Sequence, residues 1–173
     1  MNKALIISGN LAQDHEFIYP YYRLLEEGLK VDVCLLEGKP VEGILGTKIP
    51  PNKEQAVKKI DEVSVSDYKI LVLPGGVKAM EKVRQNKKII DFISKFNEQE
   101  KIIACICSGA QLLISAKVVK GRKIAGYYSM KDDLVNAGAI YTDLPAVVDA
   151  NIITTAHYKD MGPWMKEVIK KIK

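Results

Sequence analysis

Cysteine is scarce in this chain: three in 173 residues, two of them one residue apart. An odd set so spaced cannot form a disulfide framework, and it predicts a reducing, cytoplasmic setting. Histidine is scarcer still, with two. No His/Cys/carboxylate cluster has ligand spacing, so no metal site is expected. Cys105-Ile106-Cys107 has one intervening residue, not the two of a CxxC redox or zinc motif. No apolar run approaches the ~18 residues of a membrane span, so no membrane partner is expected. The opening "MNKALIISGN" turns polar too soon for a signal peptide. Aromatics are few, at 7%, and are not interleaved with the basic residues, so nucleic acid is not an expected partner. The net charge of +5 reads as a solvated surface that aids solubility. No phosphate-binding glycine loop, repeat, low-complexity tract or linker is present, and no cofactor is expected.

What is present is an ordinary globular mix, 47% apolar and 27% charged. A chain of this length buries roughly two-thirds of its unfolded surface, and one domain over residues 1–173 is expected. "KALIISG", "KVDVCLLEG", "YKILVLPGG" and "KIIACI" read as buried strands. "HEFIYPYYRLLEEGL" reads as a helix with Asp14 as N-cap and Gly28 as stop, with a late start or kink at Pro20. "VEGILGTKIPPNK" reads as a hairpin-like excursion or loop. Residues 86–97 carry one apolar helical face, and "SGAQLLISAKVV" reads as a helix. "KIAGYY", "AIYT" and "VVDANIITTA" predict further strands, and "KDDLVNAG" a short helix. A last helix begins near Pro163, with its apolar stripe on the core. Strands alternating with helices predict an α/β sandwich, a mostly parallel sheet covered on both faces. Sites then form at the carboxyl ends of the strands.

Three features fall at such ends. Cys105-Ile106-Cys107-Ser108-Gly109 follows the frame of a nucleophile elbow, Gly-x-Ser-x-Gly, with Cys107 at the nucleophile position. A helix starting there would stabilise a thiolate through its free N–H groups and dipole. Cys105 and Cys34 lie within strands and read as small hydrophobes. "LPGG" supplies backbone without side chains at Gly75 and Gly76, and the N–H groups of Gly76 and Ser108 could form an oxyanion hole. Glu16 could hold a proton for the cysteine, although by its position alone it reads as a solvated glutamate of a helix's first turn.

Together, "DHEFIYPYYRLLEEG", "ILVLPGG", "ICSGAQLLISAKVVKGRKI", "DDLVNAGAIYTD" and "VVDANIITTAHYKDMGPWM" resemble the PfpI family, in order and over nearly the whole chain. Its superfamily includes the intracellular proteases, the parkinsonism-associated DJ protein and glyoxalase III-type enzymes. The resemblance implies a flavodoxin-like fold and a homodimer or hexamer. It puts the nucleophile on Cys107, the assisting carboxyl on Glu16 and the glycine pair on Gly75 and Gly76. Tyr127 falls on a tyrosine of the protease-like branch. Glu81 is the nearest counterpart of a glutamate that a neighbouring subunit lends there. That branch has Cys-His-Gly at the elbow, and here Ser108 replaces the histidine. Serine cannot take up a proton at neutral pH as imidazole does, so only His15 and His157 remain as substitutes.

Three activities follow from the resemblance. The first is glyoxalase III or deglycase-type chemistry on a small reactive carbonyl by Cys107 and Glu16. The second is a cysteine peptidase or amidase acting on peptides, weakened by Ser108. The third is a redox sensor or stress chaperone built on a readily oxidised Cys107.

Overall fold

In a computed structural model, which describes residues 2–173, the apolar runs become the centre of a seven-stranded sheet. Among these residues the strands are β1 (Lys3–Ser8), β2 (Lys30–Leu35), β3 (Val41–Glu42), β4 (Lys48–Ile49), β5 (Val57–Lys58), β6 (Ile70–Leu73), β7 (Ile102–Ile106), β8 (Lys123–Ile124), β9 (Ile140–Tyr141), β10 (Val147–Asp149) and β11 (Ile152–Thr155). The α-helices are α1 (Asp14–Glu26), α2 (Val77–Val83), α3 (Lys87–Glu98), α4 (Ala110–Ser115), α5 (Lys131–Asn136) and α6 (Met161–Ile172). The sheet order is β10-β11-β7-β6-β1-β2-β5. Every pairing is parallel except β10 with β11. β6, β7 and β11 are buried at every residue, as a sheet covered on both faces requires. α1 and α6 pack together against the sheet, and α2, α3 and α4 pack as a second group, giving the flavodoxin-like sandwich.

The covering helices hold on through their apolar stripes. On α3, Ile89, Phe92, Ile93 and Phe96 are buried, and the Asn86 side chain caps the start by accepting from Ile89 N–H at 3.2 Å. On α6, Trp164, Met165, Val168 and Ile169 are buried, each such burial contributing about 1.5–3 kcal/mol. The Trp164 indole keeps its donor satisfied on the Ile153 carbonyl, 3.0 Å away.

Several expectations need correction. Gln13, not Asp14, caps α1, its side-chain oxygen accepting from His15 N–H at 2.7 Å. Asp14 lies inside the first turn, buried, and accepts from Leu45 N–H (2.8 Å) and Thr47 N–H (3.0 Å). It thereby clamps the β3–β4 hairpin, the expected excursion. α1 starts at Asp14 and runs through Pro20 rather than beginning late. The hydrogen bond that proline removes is the one to the Glu16 carbonyl. "SGAQLLISAKVV" is split into a 3-10 turn over Cys107–Gly109 and a helix that stops at Ser115. "KIAGYY" is a strand only over Lys123–Ile124, because Tyr127 N–H turns to the Cys107 carbonyl at 3.2 Å. The short α2 and the edge strand β5 carried no sequence signal of their own.

In this order the chain leaves β1 towards β2 but leaves β6 towards β7. The crevice at the carboxyl ends of β1 and β6 is therefore the topological switch point, where ligands bind in open α/β sheets.

Candidate active site

At that crevice the three expected features meet. Cys107 directly follows β7 and has φ +59°. A non-glycine residue in this left-handed region costs on the order of 1–3 kcal/mol and persists only where its surroundings enforce it. They do so here. A β-carbon on Gly109 would lie 2.5 Å from the Leu73 carbonyl and 3.1 Å from Cys105 Sγ, so the elbow needs its second glycine. Gly75 is wedged between the other two partners. A β-carbon there would strike Glu16 Oε2 and lie 2.8 Å from Cys107 Cβ and 3.1 Å from Sγ. Gly76, at φ +102°, lets the β6 loop turn closely over the Leu11–Gln13 backbone.

Glu16 is not the solvated glutamate that its position alone predicts. It is wholly buried. Its Oε2 accepts the Gly75 N–H at 2.8 Å, while Oε1 is buried with no hydrogen-bond partner. Burial pushes its pKa up to about 7, against the opposing hydrogen bonds from Cys107 and Gly75. The Cys107 thiol is pushed up to about 12, first by burial and then by the Glu16 charge, with the Ser108 N–H working the other way. That direction runs against the stabilisation a helix start would give a thiolate. The element that follows is a 3-10 turn and a six-residue helix, and its one N–H at the sulfur is outweighed. Through neutrality the Glu16 carboxyl gains and loses its proton beside the thiol, and once ionised it can receive one from sulfur.

The other cysteines are packing residues. Cys105 and Cys34 are wholly buried, and burial raises both thiols, to about 12 for Cys34 and well up for Cys105. Cys107 alone is partly exposed. Gly75 does not supply a free donor to an oxyanion, because its N–H is taken by Glu16; Gly76 and Ser108 remain. The Ser108 side chain is buried, and its hydroxyl, like its N–H, works to lower the Cys107 thiol.

Ser108, Glu81 and Tyr127 come together on the wall of a cleft of about 680 Å³. Cys107 and Glu16 are not part of that wall, so the cleft opens beside the thiol rather than around it. The two histidines are not on that wall, although the His157 ring stacks against Tyr127 with centroids 6.2 Å apart. His15 is exposed and its ring sits 5.4 Å from that of Tyr158. The His157 ring lies 4.0 Å from that of Tyr158, tilted by 41°, and its Nδ1 accepts from Lys159 N–H at 3.1 Å. Neither imidazole hydrogen-bonds the thiol, so the substitutes for the missing elbow histidine are not in place in this chain. Among the described residues no group of three or more His, Cys, Asp or Glu could hold a metal ion, and no helix is long and apolar enough to cross a membrane.

The sequence reading missed two residues. Arg84 and Gln111 line the same cleft, the Arg84 Nη1 donating to Gln111 Oε1 at 3.3 Å. The available signal was spacing: Arg84 lies three residues after Glu81, and Gln111 three after Ser108, each pair on one helical face.

The family model described as the DJ-1/PfpI family matches residues 2–171. A relative in Pyrococcus furiosus, named deglycase PfpI, is 40% identical over 171 residues, spanning 99% of both chains. A Pyrococcus horikoshii protein, also named a deglycase, is 38% identical with the same coverage. Among solved structures, a two-domain Anabaena variabilis protein with DJ-1/ThiJ/PfpI-like and ferritin-like domains superposes with a TM-score of 0.91 at 29% identity. The match covers 99% of this chain and 48% of that one.

Proposed function

The chain belongs to the DJ-1/PfpI family, and from that premise we propose that it is a deglycase or glyoxalase III-type enzyme, with Cys107 as nucleophile and Glu16 as the group that moves the proton. The observation that carries this reading is the closure of the Glu16 carboxyl and the Cys107 thiol on Gly75, with Glu16 able to gain and lose a proton near neutrality. The names of the two Pyrococcus relatives support the substrate class.

With methylglyoxal, Cys107 Sγ bonds to the aldehyde carbon while its proton passes through Glu16 to the carbonyl oxygen, giving a hemithioacetal. Glu16 then takes the proton from that carbon, and a proton is returned to the neighbouring ketone carbon. The product is a lactoyl thioester, formed without any external oxidant. Water cleaves the thioester, releases lactate and restores the thiol. With a glycated amine, the same sulfur displaces nitrogen from the carbinol carbon, the amine leaves with a proton, and the later steps are shared. The N–H groups of Gly76 and Ser108 are the donors to the developing oxyanion. An aldehyde is electrophilic enough to react without the imidazole that amide cleavage needs, which fits an elbow bearing Ser108.

The test is lactate production from methylglyoxal. The reading expects it to vanish in Cys107→Ala and persist in Cys105→Ala. Equal rates in the wild type and Cys107→Ala would overturn it.

A further inference from the structure

Glu16 has no exposed surface, yet the deglycase reaction makes it take up and release a proton at every turnover. Its Oε2 is occupied by the Gly75 N–H, and Oε1 has no hydrogen-bond partner. Two other side-chain oxygens at the same end of the sheet share that condition. They are Ser8 Oγ, in the last residue of β1, and Thr155 Oγ1, in the last residue of β11. Both residues are wholly buried. Buried polar groups in native proteins are bonded as a rule, and an exception marks a catalytic role or a place for water.

The strand register shows where these oxygens stand. Ile106 pairs with Thr155, and Leu73 with Cys105, so that Pro74 falls beside Ile106. Ile6 pairs with Val72, and two residues further on Ser8 falls beside Pro74. Ser8, Pro74, Ile106 and Thr155 therefore form one row across β1, β6, β7 and β11. The residues that follow the middle two are Gly75 and Cys107, the pair on which the Glu16 carboxyl closes. Both hydroxyls face α1 and α6. Cys105 faces Gly109 and α4, and Thr154 Oγ1 accepts the Ala125 N–H, so the residues after them point the other way. Gly9 likewise faces Val83 of α2, which turns Ser8 towards α1. Pro74 and Ile106, between the hydroxyls, carry no polar side-chain atom. Neighbouring strands are ~4.8 Å apart, which puts one hydroxyl to either side of the Glu16 carboxyl at about the span of a single bridging water.

We propose that Ser8 and Thr155 are positioning residues that each hold a buried water against Glu16 Oε1, and that this row is the route by which Glu16 exchanges its proton with solvent. As the carboxyl gives its proton to the bridging water, that water passes one of its own to the hydroxyl, and the hydroxyl hands its proton outwards. The reverse order recharges the carboxyl, and no bond other than O–H changes. Beyond Ser8 lies Asn10 and beyond Thr155 lies His157, both half-buried, so each end of the row leads to the surface. The proposal rests on the proton-moving role read for Glu16, but the water sites do not depend on the substrate.

The wild type tests the sites directly. A crystal structure at about 1.5 Å resolution should show ordered water within ~3.2 Å of Glu16 Oε1 and of each hydroxyl. A dry Glu16, or hydroxyls bonded to backbone carbonyls instead, would overturn the proposal. Ser8→Ala and Thr155→Val then remove one hydroxyl each, with Ser8→Thr and Thr155→Ser as rescues. Losing a hydrogen bond disfavours the ionised carboxyl, so the break in the pH profile of Cys107 alkylation should move up by about one unit in each loss variant and return in the rescues. Lactate production from methylglyoxal should fall about tenfold, with a larger solvent deuterium effect on kcat as proton exchange becomes limiting. An unmoved break and an unchanged rate in the double variant Ser8→Ala/Thr155→Val would overturn the route and leave the deglycase reading. A loss that neither rescue restores would assign both residues to packing and overturn it as well. Waters in place and a moved break in a protein that makes no lactate would overturn the deglycase reading and leave the route.

Discussion

Glu16→Gln isolates the energetic consequence of burying the proton carrier. In the wild type the carboxyl has no exposed surface, and its pKa stands at about 7 against an ordinary 4.5. The unfolded chain therefore loses this proton near pH 4.5, while the folded chain keeps it until about pH 7. Stability from this group is fully present below 4.5, declines as pH rises through that window, and is flat above about 7. At about 1.4 kcal/mol for each tenfold change in ionisation, the loss amounts to about 3 kcal/mol. A glutamine keeps an oxygen for the Gly75 N–H and never ionises. Its stability relative to the wild type should thus be near zero at pH 4.5 and rise to about +3 kcal/mol by pH 8, which is about 6–12 °C in Tm for a chain of this length. Thermal unfolding of both proteins across pH 4–9 measures the difference, and taking the difference cancels every other titrating group. A gap that stays constant with pH, or one that favours the wild type more at pH 8 than at pH 4.5, would refute the reasoning.

Two more outcomes follow from the site's packing. Gly75→Ala forces a methyl group against Glu16 Oε2 and Cys107; it should lower stability by about 1–3 kcal/mol and slow Cys107 alkylation, read by chemical denaturation and mass spectrometry. Asp14→Ala strips the hairpin of its two hydrogen bonds to the carboxylate. Although burial works against it, those bonds hold the Asp14 pKa below its usual value, so the clamp acts above that value and is released as pH falls through the lowered one. Loss of about 1–3 kcal/mol at pH 7 and a smaller loss at pH 3 are expected from unfolding curves.

How far the sequence could be read depended on the range of the interaction. The strand runs ending in Ser8, Leu73 and Ile106 were legible because a buried parallel strand leaves a continuous apolar signature. So was the elbow, since a glycine two residues after Cys107 is a local requirement. Asp14 was misread because its carboxylate is satisfied by Leu45 and Thr47, more than thirty residues away. For the same reason Gln13, a poor cap by propensity, takes the cap position. Glu16 looked solvated because nothing local shows that the Gly75 loop closes over it. A helix start at the thiol is visible in sequence, whereas the desolvation that opposes it is a property of the packed site. Arg84 went unnoticed because its partners, Gln111 and Ser115, lie on another helix.

The central claim is that ionised Glu16 draws the proton off the Cys107 sulfur. It is tested most directly by the rate of Cys107 alkylation with iodoacetamide from pH 5 to 10, in the wild type and Glu16→Gln. The account predicts a wild-type rate that climbs to a plateau near pH 7, where Glu16 becomes free to accept the proton, and a Glu16→Gln rate that climbs without a break there. A break at about 8.5, the value of a free thiol, shared by both proteins would contradict it.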